Sequence, residues 1–326
     1  MTKAFRPSDR MAMTVCVIGR NEGENLPRLI RSLEALDNLP LQVERIYVDS
    51  ASVDESVLIA QSAFDRVFVL EESKNLCAAA GRHVGTQVAK GDWILYLDGD
   101  MAMRPEWASF LERICFDSAG GAGWVGRRRS RYSDGTTSET SDAHRKSDGR
   151  VVQFGGASLL PRTCVLNAGN WNPGVFSNEE LELYSRMKQL GCYVFFVDVK
   201  MTDHFTPRLS KRHVLLSTLV PLPATGKKFY GFGQILNARI RSRNLPGFMR
   251  AIPHLFIFWT GLLGAGLLAA FGQPTIAVLI GVTTLGFVWS QKGAKYVAIY
   301  LGLLVQVVVG FRHYDPQFLP QWRQVQ

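Results

Sequence analysis

Asp98-Gly99-Asp100 places two carboxylates one residue apart, directly after the apolar run Trp93-Ile94-Leu95-Tyr96-Leu97. A buried strand that delivers Asp-x-Asp into a turn presents two hard oxygen ligands at the carboxyl edge of a sheet. In open α/β sheets, ligands bind in the crevice beyond that edge. Two carboxylates there suit Mg²⁺ or Mn²⁺ shared with a diphosphate. The tripeptide alone also fits an ordinary turn, because Asp and Gly populate turns freely. Its weight depends on which other residues the fold brings to the same edge.

The elements that must do so read as alternating strands and helices. Met13–Ile18, Val43–Val48, Arg66–Leu70 and Trp93–Leu97 are expected strands. Between them lie three expected helices. Asn25–Leu36 carries Pro27 in its first turn, Asp54–Phe64 is opened by Ser52, and Leu76–Ala89 is rich in alanine. This order predicts an α/β fold with a parallel, doubly wound sheet. Beyond it the pattern predicts a helix from Pro105 to about Phe116 and a strand over Gly123–Tyr132 carrying Arg127, Arg128, Arg129 and Arg131. A polar loop follows over Ser133–Arg150, then a strand at Val151–Leu160, a helix at Asn178–Leu190 and a strand at Cys192–Val197.

The charge is uneven. The formal net charge is +9, from 37 Lys and Arg against 28 Asp and Glu. Arg208, Lys211, Arg212, Lys227, Lys228, Arg239, Arg241, Arg243 and Arg250 cluster ahead of a stretch, Arg250 to Lys292, that holds no charged residue between those two. That placement points to a membrane surface with anionic head groups, not to nucleic acid, and to a cytoplasmic side for what precedes it. Two or three membrane segments are expected, at about 253–271, 274–290 and, as a shorter third, 296–311, and no secretory leader is expected. The domain reading is 1–207 for the α/β unit, 208–252 for basic interfacial helices and 253–326 for the membrane part. Cys16, Cys77, Cys115, Cys164 and Cys192 lack metal-type spacing, so reduced thiols in a cytosolic domain are the expectation.

Several segments coincide in order: Val15-Cys16-Val17-Ile18-Gly19-Arg20-Asn21-Glu22; Ile46-Tyr47-Val48-Asp49-Ser50-Ala51-Ser52-Val53-Asp54; Ala78-Ala79-Ala80-Gly81-Arg82-His83-Val84-Gly85; Asp98-Gly99-Asp100; Phe154-Gly155-Gly156-Ala157-Ser158; Asn178-Glu179-Glu180-Leu181-Glu182-Leu183; and Asp203-His204-Phe205. As a set they resemble the family 2 glycosyltransferases of the GT-A fold over roughly residues 13–205. The Asn-Glu-Glu-x-Glu-Leu segment and the later Tyr230-Gly231-Phe232-Gly233 look most like the succinoglycan-type exopolysaccharide enzymes.

The resemblance implies a metal-dependent, inverting transfer from a nucleotide-diphospho-sugar, with UDP-sugars foremost. Asp100 is then the direct metal ligand, Asp98 a ribose-side or metal contact and His204 a further metal or phosphate ligand. Asp49 would accept from the base's ring N–H, or else form an Asx turn. Arg20, Asn21, Glu22, Ser52 and Gly99 would line the nucleotide side, and Arg82 would face the phosphates. Glu180, with Glu179 as its alternative, is the candidate base at a helix N-terminus. The family usually has Glu-Asp there, and Asn where His83 stands. Gly155, Gly156 and Trp171 are read as acceptor-binding. The implied acceptor is a polyprenyl-diphosphate-linked glycan, and the implied location is a multi-pass protein of the inner membrane with a cytoplasmic catalytic domain. A polyprenyl-phosphate glycosyltransferase and a catalytically silent nucleotide-sugar-binding scaffold are the alternative readings.

Overall fold

The computed structural model describes residues 12–73, 75–114, 122–140, 146–208, 230–251, 253–292 and 306–326. Cys115, part of the 133–150 loop, the basic residues between 209 and 229 and most of the expected third membrane segment lie outside the described residues. The chain divides into two compact units. One holds Met1–Arg208 together with Gln317–Gln326, the other Leu209–Pro316.

In the first unit the apolar runs become β1 (Ala12–Gly19), β2 (Gln42–Asp49), β3 (Arg66–Leu70) and β4 (Trp93–Asp98). They lie parallel in the order β3-β2-β1-β4. Sequence order reverses at β1, so a crevice opens beyond the carboxyl ends of β1 and β4. The connecting helices are α1 (Leu26–Leu33), α2 (Ser56–Gln61) and α3 (Ala78–Val88). Helix α2 is shorter than its expected span, and Ser52 does not open it. Asp54 instead accepts from the Ser56 N–H at 3.0 Å, and Ser52 is engaged elsewhere.

The second half departs from the doubly wound expectation. After β5 (Met101–Met103) and α4 (Pro105–Arg113) come β6 (Ala122–Tyr132), β7 (Thr137–Thr140) and β8 (Ser158–Pro161). Then follow α5 (Arg162–Asn167), α6 (Glu179–Met187) and β9 (Tyr193–Thr206). Strand β8 runs antiparallel to β4, and β6, β9 and β5 continue outward, so the sheet is mixed. Strand β7 turns part of the expected polar loop into a hairpin on β6.

The expected strand at Val151–Leu160 forms only at its end. Residues 152–157 are irregular where Gly155 and Gly156 bring backbone close to other groups. Apolar side chains fill both faces of the sheet, one layer around Cys16, Val84, Tyr96 and Leu183, the other around Val15, Leu29, Leu95 and Trp107. Cys164 and Cys192 sit together in the first layer and are joined as a disulfide, which corrects the expectation of reduced thiols there. Their elements, 28 residues apart in sequence, are packed against one another, which no spacing rule announces. Cys16 and Cys77 are free.

The second unit contains α7 (Tyr230–Arg241), α8 (Leu245–Ala251), α9 (Pro253–Ala270), α10 (Pro274–Lys292) and a helical turn at 306–312. Glycines set the closest approaches. A Cβ at Gly261 would meet the Thr284 side chain, and one at Gly310 would meet the Tyr230 backbone. Helices α9 and α10 coincide with the first two expected membrane segments and carry exposed Leu263, Leu267, Phe271, Val278, Leu279 and Val282. Among the described residues, no helix is long and apolar enough to cross a membrane.

Gly91 lies directly on β1. A Cβ there would stand 2.6 Å from the Met13 carbonyl carbon, and its N–H donates to Thr14 Oγ1 at 2.9 Å. The neighbour is backbone and cannot rotate away. Gly91→Ala is therefore expected to cost about 1–3 kcal/mol, read as a lowered denaturant midpoint at unchanged slope.

Candidate active site

The carboxyl ends of β1 and β4 open on a cavity of about 310 Å³. Strand β1 and its exit supply Ile18, Gly19, Arg20 and Glu22; the approach to α3 supplies Leu76, Cys77 and Ala78; and Ser50, Asp98, Gly99 and Asp100 close the remaining side. The exits of β1 and β2 are locked together in strained turns. Asn21 and Ala51 both have left-handed backbone, with φ of 57° and 58°. Asn21 donates its N–H to Ser52 Oγ at 2.8 Å and accepts from the Val53 N–H at 2.9 Å. Such conformations persist only where the surroundings over-determine them, and they cluster at binding sites.

Arg82 is the centre of the charge arrangement. It is 1% exposed, on a helix otherwise made of small residues. Its Nη2 donates to Asp98 Oδ1 at 2.6 Å and its Nη1 to Glu179 Oε1 at 2.8 Å, with Glu180 Oε1 3.6 Å away. Its guanidinium lies over the Trp171 ring, 5.1 Å from the centroid. Burial opposes the Arg82 charge, but Asp98, Glu180 and Glu179 outweigh it and raise its pKa. The same burial, reinforced by Glu179, pushes Glu180 up to about 8. Glu179 is also raised by burial, with Arg82 opposing. The two glutamates therefore differ in role. Glu179 is spent on Arg82, and Glu180 keeps a looser contact.

Both glutamates open α6, whose expected stripe of Leu181, Tyr184 and Met187 is buried. Asn178, at φ 58°, turns the chain into that helix. Gly156 packs on the same network: a Cβ there would stand 2.7 Å from the Arg82 guanidinium and closer still to Asp98. Glycine is required at that position by contact.

On the far side, His204 Nε2 lies 3.1 Å from Asp100 Oδ2. That is close to the separation that neighbouring ligands keep around one small divalent cation. Asp100 Oδ1 is buried with no partner, which a cation would satisfy. Asp98 has one oxygen committed to Arg82, so Asp100 and His204 are the better fit. Among the described residues, no three His, Cys, Asp or Glu side chains form a metal-binding group, so a cation here would need further ligands from the substrate.

His204 is set by β9, where its neighbour Asp203 accepts from Arg129 at 2.7 and 2.9 Å and from Arg131 at 2.8 Å. Those bonds outweigh burial and hold the Asp203 carboxyl below its usual range. The arginines of β6 are thus partly structural anchors for the histidine strand. This pairing was not read from the sequence; the alternation of Arg129 and Arg131 was its signal.

Other expected site residues lie elsewhere in the arrangement. Asp49 is buried at the end of β2, and both its oxygens are engaged. Oδ2 accepts from the Ser52 N–H at 2.6 Å, while Oδ1 accepts from Ser52 Oγ at 2.6 Å and Tyr47 OH at 3.3 Å. Its neighbour Ser50 is the residue that lines the cavity. Arg20 reaches across the cavity mouth to Glu72 at 3.1 Å. Trp171 offers no face to an acceptor. It is fully buried, its rings spent on Arg82 and on Tyr96, 5.2 Å away, and His83 Nδ1 contacts its carbonyl at 2.7 Å. Gly155 borders a small cleft with Arg128 and Thr202.

Residues 14–166 match the family model described as glycosyl transferase family 2. An uncharacterized glycosyltransferase of Haemophilus influenzae is 35% identical over 94 residues, which is 29% of this chain and 31% of that protein. The match thus spans about a third of that relative. Among solved structures, a mannosyltransferase of Pyrobaculum calidifontis in complex with GDP-Man and Mn²⁺ has a TM-score of 0.56 at 15% identity, over 94% of this chain and 89% of that one. S. aureus TarS 1-349 in complex with UDP-GlcNAc has a TM-score of 0.52 at 13% identity, over 93% and 90%. At such identities the shared property is the GT-A fold.

Removing the shared cation should be costly. Arg82→Met leaves Asp98, Glu179 and Glu180 facing one another without compensation. A loss of about 3–5 kcal/mol in chemical denaturation is expected, as for breaking a buried ion pair from one side. Stability within 1 kcal/mol of wild type would show that the carboxylates are solvated.

Proposed function

From a glycosyltransferase family 2 domain at residues 14–166, in a GT-A fold, we propose an inverting transfer of one sugar from a nucleotide-diphospho-sugar, foremost a UDP-sugar, to a lipid-linked glycan. The observation that carries this reading is the Arg82 bridge. It holds Asp98, on the cavity that would take the donor, within one side chain of Glu180, the carboxylate suited to deprotonate an acceptor.

The nucleotide would enter between the exits of β1 and β2, beside Arg20, Glu22 and Ser50, with its diphosphate directed at Asp98-Gly99-Asp100. Glu22 is raised above the usual carboxylate range, first by burial, so it adds less charge against a diphosphate than a solvated carboxylate would. Asp100 and His204 would hold a divalent cation, Mg²⁺ or Mn²⁺, whose chemistry is to neutralise charge on the leaving diphosphate. Arg82 holds Asp98 in place. Glu180 takes the proton of the acceptor hydroxyl as its oxygen forms the new bond to the anomeric carbon. The bond from that carbon to the diphosphate oxygen breaks on the opposite face, which gives inversion. Gly156 lets its loop close on Asp98 and Arg82, so that the bridge to the base is kept short.

The lipid-linked acceptor and a cytoplasmic membrane location are supported by the second unit. Its helices α9 and α10 hold no Asp or Glu, expose apolar side chains, and follow a run of basic residues. Such a hairpin suits partial burial in the acyl layer, with arginines and lysines at the head groups.

The test is turnover of a nucleotide-sugar panel by detergent-purified protein with Mn²⁺ or Mg²⁺ and a polyprenyl-linked acceptor extract. Glu180→Gln and Asp100→Ala are each expected to lower kcat by about 10²–10⁴. Activity that survives Glu180→Gln would instead indicate an acceptor already ionised, such as a polyprenyl phosphate. Absence of turnover with every donor would leave a binding role. For the wild type, kcat/KM should rise with pH through an apparent value of about 8, because the base acts ionised and burial with Glu179 raises it. A profile flat from pH 6 to 9 would remove Glu180 from that role.

A further inference from the structure

The chain leaves the first unit at Arg208 and re-enters it at Gln317. The returning segment forms β10 (Trp322–Gln324), antiparallel to β3 at the outer edge of the sheet, with Trp322 opposite Leu70 and Gln324 opposite Phe68. The grip extends past the strand. The Glu71 N–H donates to the Gln321 carbonyl at 2.8 Å, the Val325 N–H to Val67 at 2.9 Å, and the Val67 N–H to Gln326 at 3.1 Å. Gln61 Nε2 reaches the Val325 carbonyl at 3.1 Å, and Gln326 Nε2 reaches Phe64 at 2.8 Å. The Trp322 ring stands edge-on to Phe68 at 5.3 Å. Phe318 packs on the same apolar layer as Leu76, Cys77 and Ala78.

The stretch held this way is a wall of the candidate donor cavity. Between Leu70 and α3 the described residues have no regular structure, yet Leu76, Cys77 and Ala78 line the cavity and Glu72 receives Arg20 across its mouth. It is held from outside, by the bond from Glu71 to Gln321 next to Glu72, while Phe318 packs on the same apolar layer as residues 76–78. Simple protection of an edge strand would need only the ladder. Phe318 goes further, because it packs on the same apolar layer as the cavity-lining residues.

We infer that residues 317–326 are a positioning element of the donor site, fixing the wall between Leu70 and Ala78 and so the affinity for a nucleoside diphosphate. This rests on the nucleotide-sugar reading proposed above. Preorganisation of the wall lowers the ordering cost that the ligand would otherwise meet.

The experiment titrates UDP and GDP, each with Mn²⁺, into wild type, Phe318→Ala, Phe318→Leu and Val325→Pro, alongside donor KM, kcat and Tm. Phe318→Ala and Val325→Pro are expected to raise nucleotide Kd and donor KM about tenfold, with kcat changed less than about twofold. Phe318→Leu should restore most of the affinity. A lowered Tm with nucleotide Kd unchanged in Phe318→Ala would overturn the inference and leave the segment as an edge cover. Should Val325→Pro fail to fold, Phe318→Ala decides alone. Wild type that binds neither nucleotide overturns the donor reading and this inference with it. Wild-type binding matched by both variants overturns only this inference.

Discussion

A guanidinium sealed from water must be neutralised where it stands, and most of the site follows from that demand. Arg82 is surrounded by carboxylates from two separate parts of the chain, Asp98 at the end of β4 and the glutamates that open α6. Each carboxylate is costly alone in that setting and tolerable only as part of the set. The surroundings are shaped to admit it. Gly81 lets α3 lie against Ile18, Gly156 lets a loop lie against Asp98, and Trp171 covers the guanidinium with a ring face. The distance between the cavity at β1 and β4 and Glu180 is thereby fixed by a side chain of known length, not by a loop.

Much of this was legible because it is local. The runs before Gly19, Asp49, Leu70 and Asp98 are apolar enough to be strands in any context, and the parallel order follows from the helices between them. Glu179 and Glu180 announce themselves at a helix start, and Arg82 is conspicuous among alanines and glycines. What the residues could not announce was pairing between distant segments. Nothing in Cys164 or Cys192 marks each as the other's partner. Trp171 reads as a sugar platform until its burial is known, and nothing in Asp203 marks it as the point on which Arg129 and Arg131 converge. Trp322–Gln324 is too short to show a strand period at all, and its partner lies more than two hundred residues away.

The second unit shows the same boundary from another direction. Hydropathy located α9 and α10 because uncharged runs of that length are rare in ordinary surfaces. It located their faces less well. Gly261 meets Thr284 across the helix pair, while Leu263, Leu267 and Phe271 stay exposed, a split set by which small residues permit close approach.

The mixed sheet has one further consequence. Its two halves meet along two short ladders, Trp93–Tyr96 of β4 against Ser158–Pro161 of β8 and Met101–Met103 of β5 against Thr202–His204 of β9. On one side lie the strands that shape the candidate nucleotide cavity; on the other lie β6, β8 and β9 with their own packing and their own arginine anchors. The Arg82 bridge and the Asp100–His204 contact join the candidate site across that seam, beside backbone bonds such as that from the Phe205 N–H to the Asp100 carbonyl. The residues that line the cavity lie on the β1–β4 side, so substitutions in the 122–206 half can change what surrounds Glu180 while leaving that lining in place.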